Sequence, residues 1–141
     1  MKILVAVDGS SNSLRAVKYS AKLAKDLRTK NTITLINVHD DSSLNLVKYY
    51  TSNQTVKDYL AEMSQNDLKF ALKYLANTKI KHSSIIEFGH IATTICRVLH
   101  KEKFDLMVLG AKGRSSLTDI ALGSVSQRVS VMAKQPVLLI K

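Results

Sequence analysis

Short apolar runs alternate along this chain with longer segments whose apolar residues recur at helical spacing, and few folds accommodate that order. The runs are Ile3–Val7, Thr32–Val38, residues 81–88, residues 104–109 and Val137–Ile140. Between them lie residues 11–29, 55–77, 91–102 and 124–133, each with an apolar stripe, such as Leu60, Met63, Leu68, Ala71, Leu72 and Leu75 in the second. A strand-helix alternation with near-continuous apolar strands predicts a parallel sheet covered on both faces. Right-handed crossovers then make an open, doubly wound α/β fold. We expect a Rossmann-like, five-stranded sheet in the order 3-2-1-4-5, formed by residues 1–141 as one domain. Pro136, the only proline, opens the last run, a position a sheet tolerates. Ser10, Ser11 or Asn12 is placed to cap the first helix. Residues 42–54 are polar with scattered apolar side chains and read as a mobile or partly helical lid.

Three of the five glycines fall in one window, Gly110-Ala-Lys-Gly113-Arg114 followed by Gly123-Ser124. The spacing is Gly, two residues, Gly, nine residues, Gly-Ser. An expected strand precedes the window and an expected helix follows it. Glycines let a backbone turn tightly and approach a ligand without a Cβ in the way. A helix start adds N–H groups and the positive end of a dipole, which favour phosphate. Arg114 adds a planar, permanent charge. This is neither the P-loop nor the Gly-x-Gly-x-x-Gly dinucleotide pattern. The spacing alone also fits a surface loop capped by Ser124. In an open α/β sheet, ligands bind beyond the carboxyl ends of the strands at a topological switch point. With strands 1 and 4 adjacent, the turn at Asp8-Gly9-Ser10 and the glycine loop border one crevice.

Charge and cysteine content narrow the function classes. The formal charge is +10, from 21 Lys and Arg against 11 Asp and Glu. Much of the excess, Arg15, Lys18, Lys22, Lys25 and Arg28, lies on one helix, and most of these fall on its outer arc. That arc reads as a solvated face; a nucleic-acid surface would carry interleaved aromatics or a known motif. The single cysteine, Cys96, excludes an internal disulfide and reads as a small buried hydrophobe beside Ala92, Ile95 and Leu99. No apolar stretch approaches the ~18 residues that span a bilayer, and Met1-Lys2 runs directly into the first strand. A cytoplasmic protein without membrane association is the expectation.

The chain resembles a single-domain universal stress protein over its whole length. Ile3-Leu-Val-Ala-Val-Asp8-Gly-Ser10 is similar to that family's first strand and turn. Gly110-x2-Gly113-x9-Gly123-Ser124 matches its ATP-binding pattern, and Leu122–Val129 and Pro136–Ile140 match its closing helix and strand. The resemblance implies ATP as ligand. It places Asp8 and the backbone of Ala6 and Val7 at the adenosine end, and the main chain of Val38 against the adenine. It places Gly110 near the ribose, and Gly113, Arg114, Gly123, Ser124, Val125 and Ser126 around the phosphates. Ile91 stands where many relatives have proline, and Asp119 puts a negative charge in the loop. Asp8 is also within the chemistry of a magnesium ion carried by the triphosphate, since hard cations take carboxylate and phosphate oxygens.

Signals for catalysis are thin. There is no Gly-x-Ser-x-Gly elbow, no His-Glu-x-x-His and no Cys/His metal spacing. His39, His82, His90 and His100 are scattered and read as surface or partly buried side chains. The leading expectation is an ATP-binding, homodimeric stress-response module that pairs through the last strand, residues 136–140, an apolar sheet edge. A slow ATPase using the same pocket and an interaction scaffold without nucleotide are the alternatives.

Overall fold

The computed structural model describes residues 1–27, 29–40, 53–113 and 122–141. Its elements run β1 (Lys2–Ala6), α1 (Ser11–Asp26), β2 (Thr32–His39), α2 (Asn53–Ala76), β3 (Lys81–Phe88), α3 (Ile91–Lys101), β4 (Leu106–Gly110), α4 (Ser124–Met132) and β5 (Val137–Ile140). The sheet is five-stranded and every pairing is parallel, in the order β3-β2-β1-β4-β5. This is the expected α/β architecture. Most of the lid expected over 42–54 lies outside the described residues; its last two positions begin α2.

The central strand shows why the sheet must be covered twice. Ile3, Leu4 and Val5 are all fully buried. Strand side chains alternate between faces, and here each face has its own core. Ile3 and Val5 join Ala16, Val17, Ala21, Leu68, Ala71 and Leu75, from α1 and α2. Leu4 joins Ala92, Ile95, Leu99, Met107 and Val129, on the side of α3 and α4. Cys96 packs against this second core, half-buried, and burial pushes its thiol pKa up. That keeps it protonated and a poor nucleophile.

Local chemistry sets the helix starts. Ser10 caps α1: its hydroxyl oxygen accepts from Ser13 N–H at 3.1 Å. Gly9, at φ 78°, lets the chain turn out of β1 into that cap. The helix closes at Asp26, three residues before the expected end, where Leu27 leaves helical geometry. β4 starts at Leu106 instead of 104, because Phe104 N–H still bonds back to Leu99 at the end of α3.

Gly110 closes β4 against the first turn of α1. A Cβ there would lie 2.9 Å from both the backbone carbon and the Cβ of Asn12. Glycine is required because two main chains meet. Gly110→Ala should therefore lower stability by about 1–3 kcal/mol, the usual cost of overpacking. Urea unfolding of the variant beside the native chain reads that difference, and equal midpoints would show that the helix yields without cost.

Candidate functional site

A cavity of about 580 Å³ opens at the carboxyl ends of β1, β2 and β4. That volume lies in the range of small-molecule sites. It occupies the switch point, where the chain leaves β1 for α1 on one face and β4 for α4 on the other.

One end is built from backbone and short polar side chains. Gly123, the N-cap residue of α4, provides no side-chain cap, and its own N–H bonds to the Ala111 carbonyl at 2.8 Å. By helix geometry the N–H groups of Ser124, Val125 and Ser126 have no acceptor within α4. With the dipole, they form a cradle for an anion. The Ser126 hydroxyl is committed elsewhere: it donates to the Gly110 carbonyl at 2.8 Å, in a buried contact that pins α4 to β4. Only the backbone N–H of Ser126 is therefore left to donate to a ligand.

Asp8, two residues past β1, faces this cradle. Its Oδ1 accepts from Ser10 N–H at 3.0 Å and from the Ser10 hydroxyl at 2.6 Å. These two bonds fix the carboxylate and leave Oδ2 toward the glycine loop, 3.0 Å from where a Cβ on Gly113 would sit. At Gly123 the nearest atoms to such a Cβ are Gly113 N and Lys112 Cα, both at 3.4 Å. Gly113 thus borders the site carboxylate, and Gly123 borders the backbone of the loop itself.

The other end is mostly apolar. Val38, Leu60, Met63, Ile91, Ile95, Leu109 and Val125 line it, with Tyr59. A polar corner interrupts this wall. The Asn37 amide donates to the Val7 carbonyl at 2.8 Å and to Asp67 Oδ2 at 3.2 Å. Asn37 is 2% exposed and Asp67 7%. Nearby, His39 Nε2 meets the Ser64 hydroxyl at 2.6 Å, and the His39 ring stacks on Phe88 at 6.0 Å.

The residues singled out in the sequence converge here. Ala6, Val7, Asp8, Val38, Gly110, Gly113, Gly123, Ser124, Val125 and Ser126 all line the cavity. Arg114 and Asp119 lie outside the described residues. Ile91 lines the apolar end as well. His90 serves locally: its ring caps α3 and meets Arg128 of α4 at 2.7 Å. His82 contacts the Ile80 carbonyl at 3.0 Å, away from the cavity lining, and His100 is exposed.

Sequence reasoning missed Asn37, Asp67, Ser13, His39, Asp40 and Lys112, which also line the cavity. A signal for two of them was present. Asn37 interrupts the apolar run Leu35-Ile36-Asn37-Val38, and Asp67 falls on the buried stripe of α2 between Ser64 and Leu68. Polar residues at buried positions mark a paired structural group or a site.

Comparison with known proteins follows this geometry. The chain matches the model of the universal stress protein family over residues 1–141. It is 34% identical over 141 residues to a universal stress protein of Methanocaldococcus jannaschii, covering 99% of this chain and 81% of that one. It superposes on the universal stress protein UspA from Lactobacillus plantarum with a TM-score of 0.83 at 26% identity, covering 100% and 97% of the two chains. A universal stress protein solved in complex with cAMP superposes with a TM-score of 0.64 at 25% identity, covering 100% and 97%.

The two serines at the start of α4 separate structural from surface roles. Ser126→Ala leaves the buried Gly110 carbonyl without its donor and should cost about 1–3 kcal/mol. Ser124 is exposed, and Ser124→Ala should stay within about 0.5 kcal/mol of the native chain. Denaturant titrations of both variants check the contrast.

Proposed function

We propose that this chain, which belongs to the universal stress protein family, is an ATP-binding, homodimeric, cytoplasmic stress-response module whose nucleotide state alters its shape or its partners. One observation carries the reading. A single cavity joins an anion cradle at the start of α4 to an apolar pocket bordered by Val38 and Ile91. A nucleotide has that same division, phosphates at one end and a flat base at the other. The relative in complex with cAMP supports an adenine nucleotide as the ligand class.

The roles follow the lining. Ala6, Val7 and Asp8 border the adenosine. The main chain of Val38 meets the base. Gly110 closes the floor near the ribose. Gly113, Gly123 and the N–H groups of residues 124–126 take the phosphates, joined by Arg114. A magnesium ion carried by the triphosphate suits the donors present: the Asp8 carboxylate borders the glycine loop, and carboxylate and phosphate oxygens are what that ion prefers. Its chemistry there is to neutralise phosphate charge beside Asp8.

Glycine substitutions test the site. Gly113→Val and Gly123→Val put a branched side chain where phosphate meets backbone, so both should weaken ATP while sparing adenosine. Arg114→Ala removes a charge-assisted hydrogen bond, worth about 1.5–3 kcal/mol, and should weaken ATP much more than adenosine. Calorimetry with ATP and adenosine reads both effects. Unchanged ATP affinity in all three variants would remove the phosphate assignment.

The dimer has its own test. β5 ends the sheet opposite β3, and Val137, Leu138, Leu139 and Ile140 remain only half-buried. Two such apolar edges can pair about a two-fold axis. Light scattering at tens of micromolar should give twice the chain mass of 15.6 kDa. A mass of one chain, with and without ATP, overturns the pairing.

A further inference from the structure

The fold sets a second basic row beside the one on α1. Arg15, Lys18, Lys22 and Lys25 are exposed on α1, and Lys69 and Lys73 are exposed on α2. The two helices cover the same face of the sheet and share one core. Two contacts fix how they lie. Leu14 lines a small cleft with Phe70 and Ala71, and Lys18 Nζ sits 5.8 Å from the centre of the Tyr74 ring. Residues one turn apart on α1 thus meet residues one turn apart on α2, so the helices run side by side in the same direction. Lys22 and Lys25 continue the row of Leu14 and Lys18, and Lys73 lies one turn beyond both Lys69 and Phe70. Across residues 11–25 and 63–76 every exposed charge is positive, since the carboxylate in those stretches, Asp67, is buried. None of these cations forms an ion pair among the described residues.

Aromatic rings stand among the charges. Phe70 is 64% exposed and Tyr19 45% exposed. Tyr19 follows Arg15 by four residues and precedes Lys22 by three, so it lies between them on the helix surface. The basic arc of α1 alone carries one such ring; α2 brings the second alongside. The apolar stripes of both helices are already buried against the sheet, so this face keeps no apolar side to lay into a bilayer.

We propose that the α1–α2 face binds single-stranded nucleic acid, its cations taking the phosphates while Phe70 and Tyr19 stack on unpaired bases. Charge complementarity supplies the attraction. The rings supply the preference for a single strand, because every unpaired base has a flat face to offer and a duplex keeps those faces stacked inside. The cavity lies at the carboxyl ends of the strands, and this binding does not depend on what fills it.

Fluorescence anisotropy of the full chain with a labelled single strand of about 16 nucleotides, as RNA and as DNA, and with the matching DNA duplex tests this. At low salt the single strand should bind with a dissociation constant of about 1–100 μM, and the duplex about fivefold or more weakly. Binding of only one of the two single strands supports the proposal and names the sugar. Affinity should fall with salt by about 0.7 logarithmic units per decade for each phosphate neutralised. Combining Lys18→Gln, Lys22→Gln and Lys25→Gln should therefore lower that slope by about 2. Phe70→Ala should weaken the single strand about fivefold or more and leave the slope unchanged. Lys101→Gln, exposed on α3 across the sheet, should change neither. All these side chains are exposed, and circular dichroism checks that the variants keep the fold. No binding at low salt overturns the proposal, as does a duplex bound as tightly as the single strand or a Phe70→Ala variant that binds like the native chain. A loss in Lys101→Gln equal to that from one α1 lysine assigns the attraction to overall charge and overturns it too. So does binding of phosphatidylserine vesicles with neither strand bound, which would make the face a membrane surface.

Discussion

The contact on which the site depends is the approach of the first turn of α1 to the end of β4, with only a glycine hydrogen between them. Asn12 occupies the place where a side chain on residue 110 would go. That contact seats α1 low against the sheet and holds the Asp8–Ser10 turn at the crevice. From the other side, Ser126 ties the first turn of α4 to the carbonyl of the same glycine. Two helices on opposite faces are thus anchored to one residue. The gap between their starts is a consequence of the topology: the chain leaves β1 and β4 in opposite directions, so a crevice opens between the described elements above them.

The other wall depends on a side chain that ends a ladder. Were the β1–β2 ladder to continue, Val38 would be sealed into the sheet. With Asn37 donating to the Val7 carbonyl, the edge of Val38 that faces past β1 borders the cavity instead. The cost is a buried amide that needs a partner on a neighbouring element, and Asp67 of α2 is that partner. The His39–Ser64 contact ties α2 to β2 one position further on. α2 is therefore joined to this wall of the cavity by polar contacts as well as by apolar packing, and a ligand that shifts this corner must act on α2.

Much of this was legible in the sequence, for physical reasons that differ by element. The strands were legible because both faces are buried, so they read as unbroken apolar runs; β1 is the clearest case. Helix ends were less so. α1 was expected to reach residue 29, since its stripe continues through Leu27, but backbone geometry closes it earlier. The glycine spacing picks out residues that line the cavity without separating the tasks of its glycines. Gly110 serves a backbone contact, and Gly113 borders a carboxylate. Asn37 and Asp67 were passed over because each looks like a blemish on an apolar pattern. Only the fold reveals that the two blemishes, 30 residues apart, touch.

The charge of the lining explains why glycines, and not a cluster of lysines, are the mark of this site. Among the described lining residues the carboxylates are Asp8, Asp40 and Asp67, and the one lysine is Lys112. The basic excess of the whole chain is not concentrated there. Side-chain charge in that part of the wall does not favour a polyanion. In the proposed function, the described residues that attract phosphate are groups that cost no net charge, the N–H groups at the start of α4 and the helix dipole behind them. Such groups act only when phosphate comes within hydrogen-bond distance of the main chain, which a Cβ at residue 113 or 123 would obstruct. In the proposed function, the same balance suits a divalent cation beside Asp8. Backbone recognition leaves a sparse pattern of glycines in a sequence, and side-chain recognition would have left a dense pattern of charge.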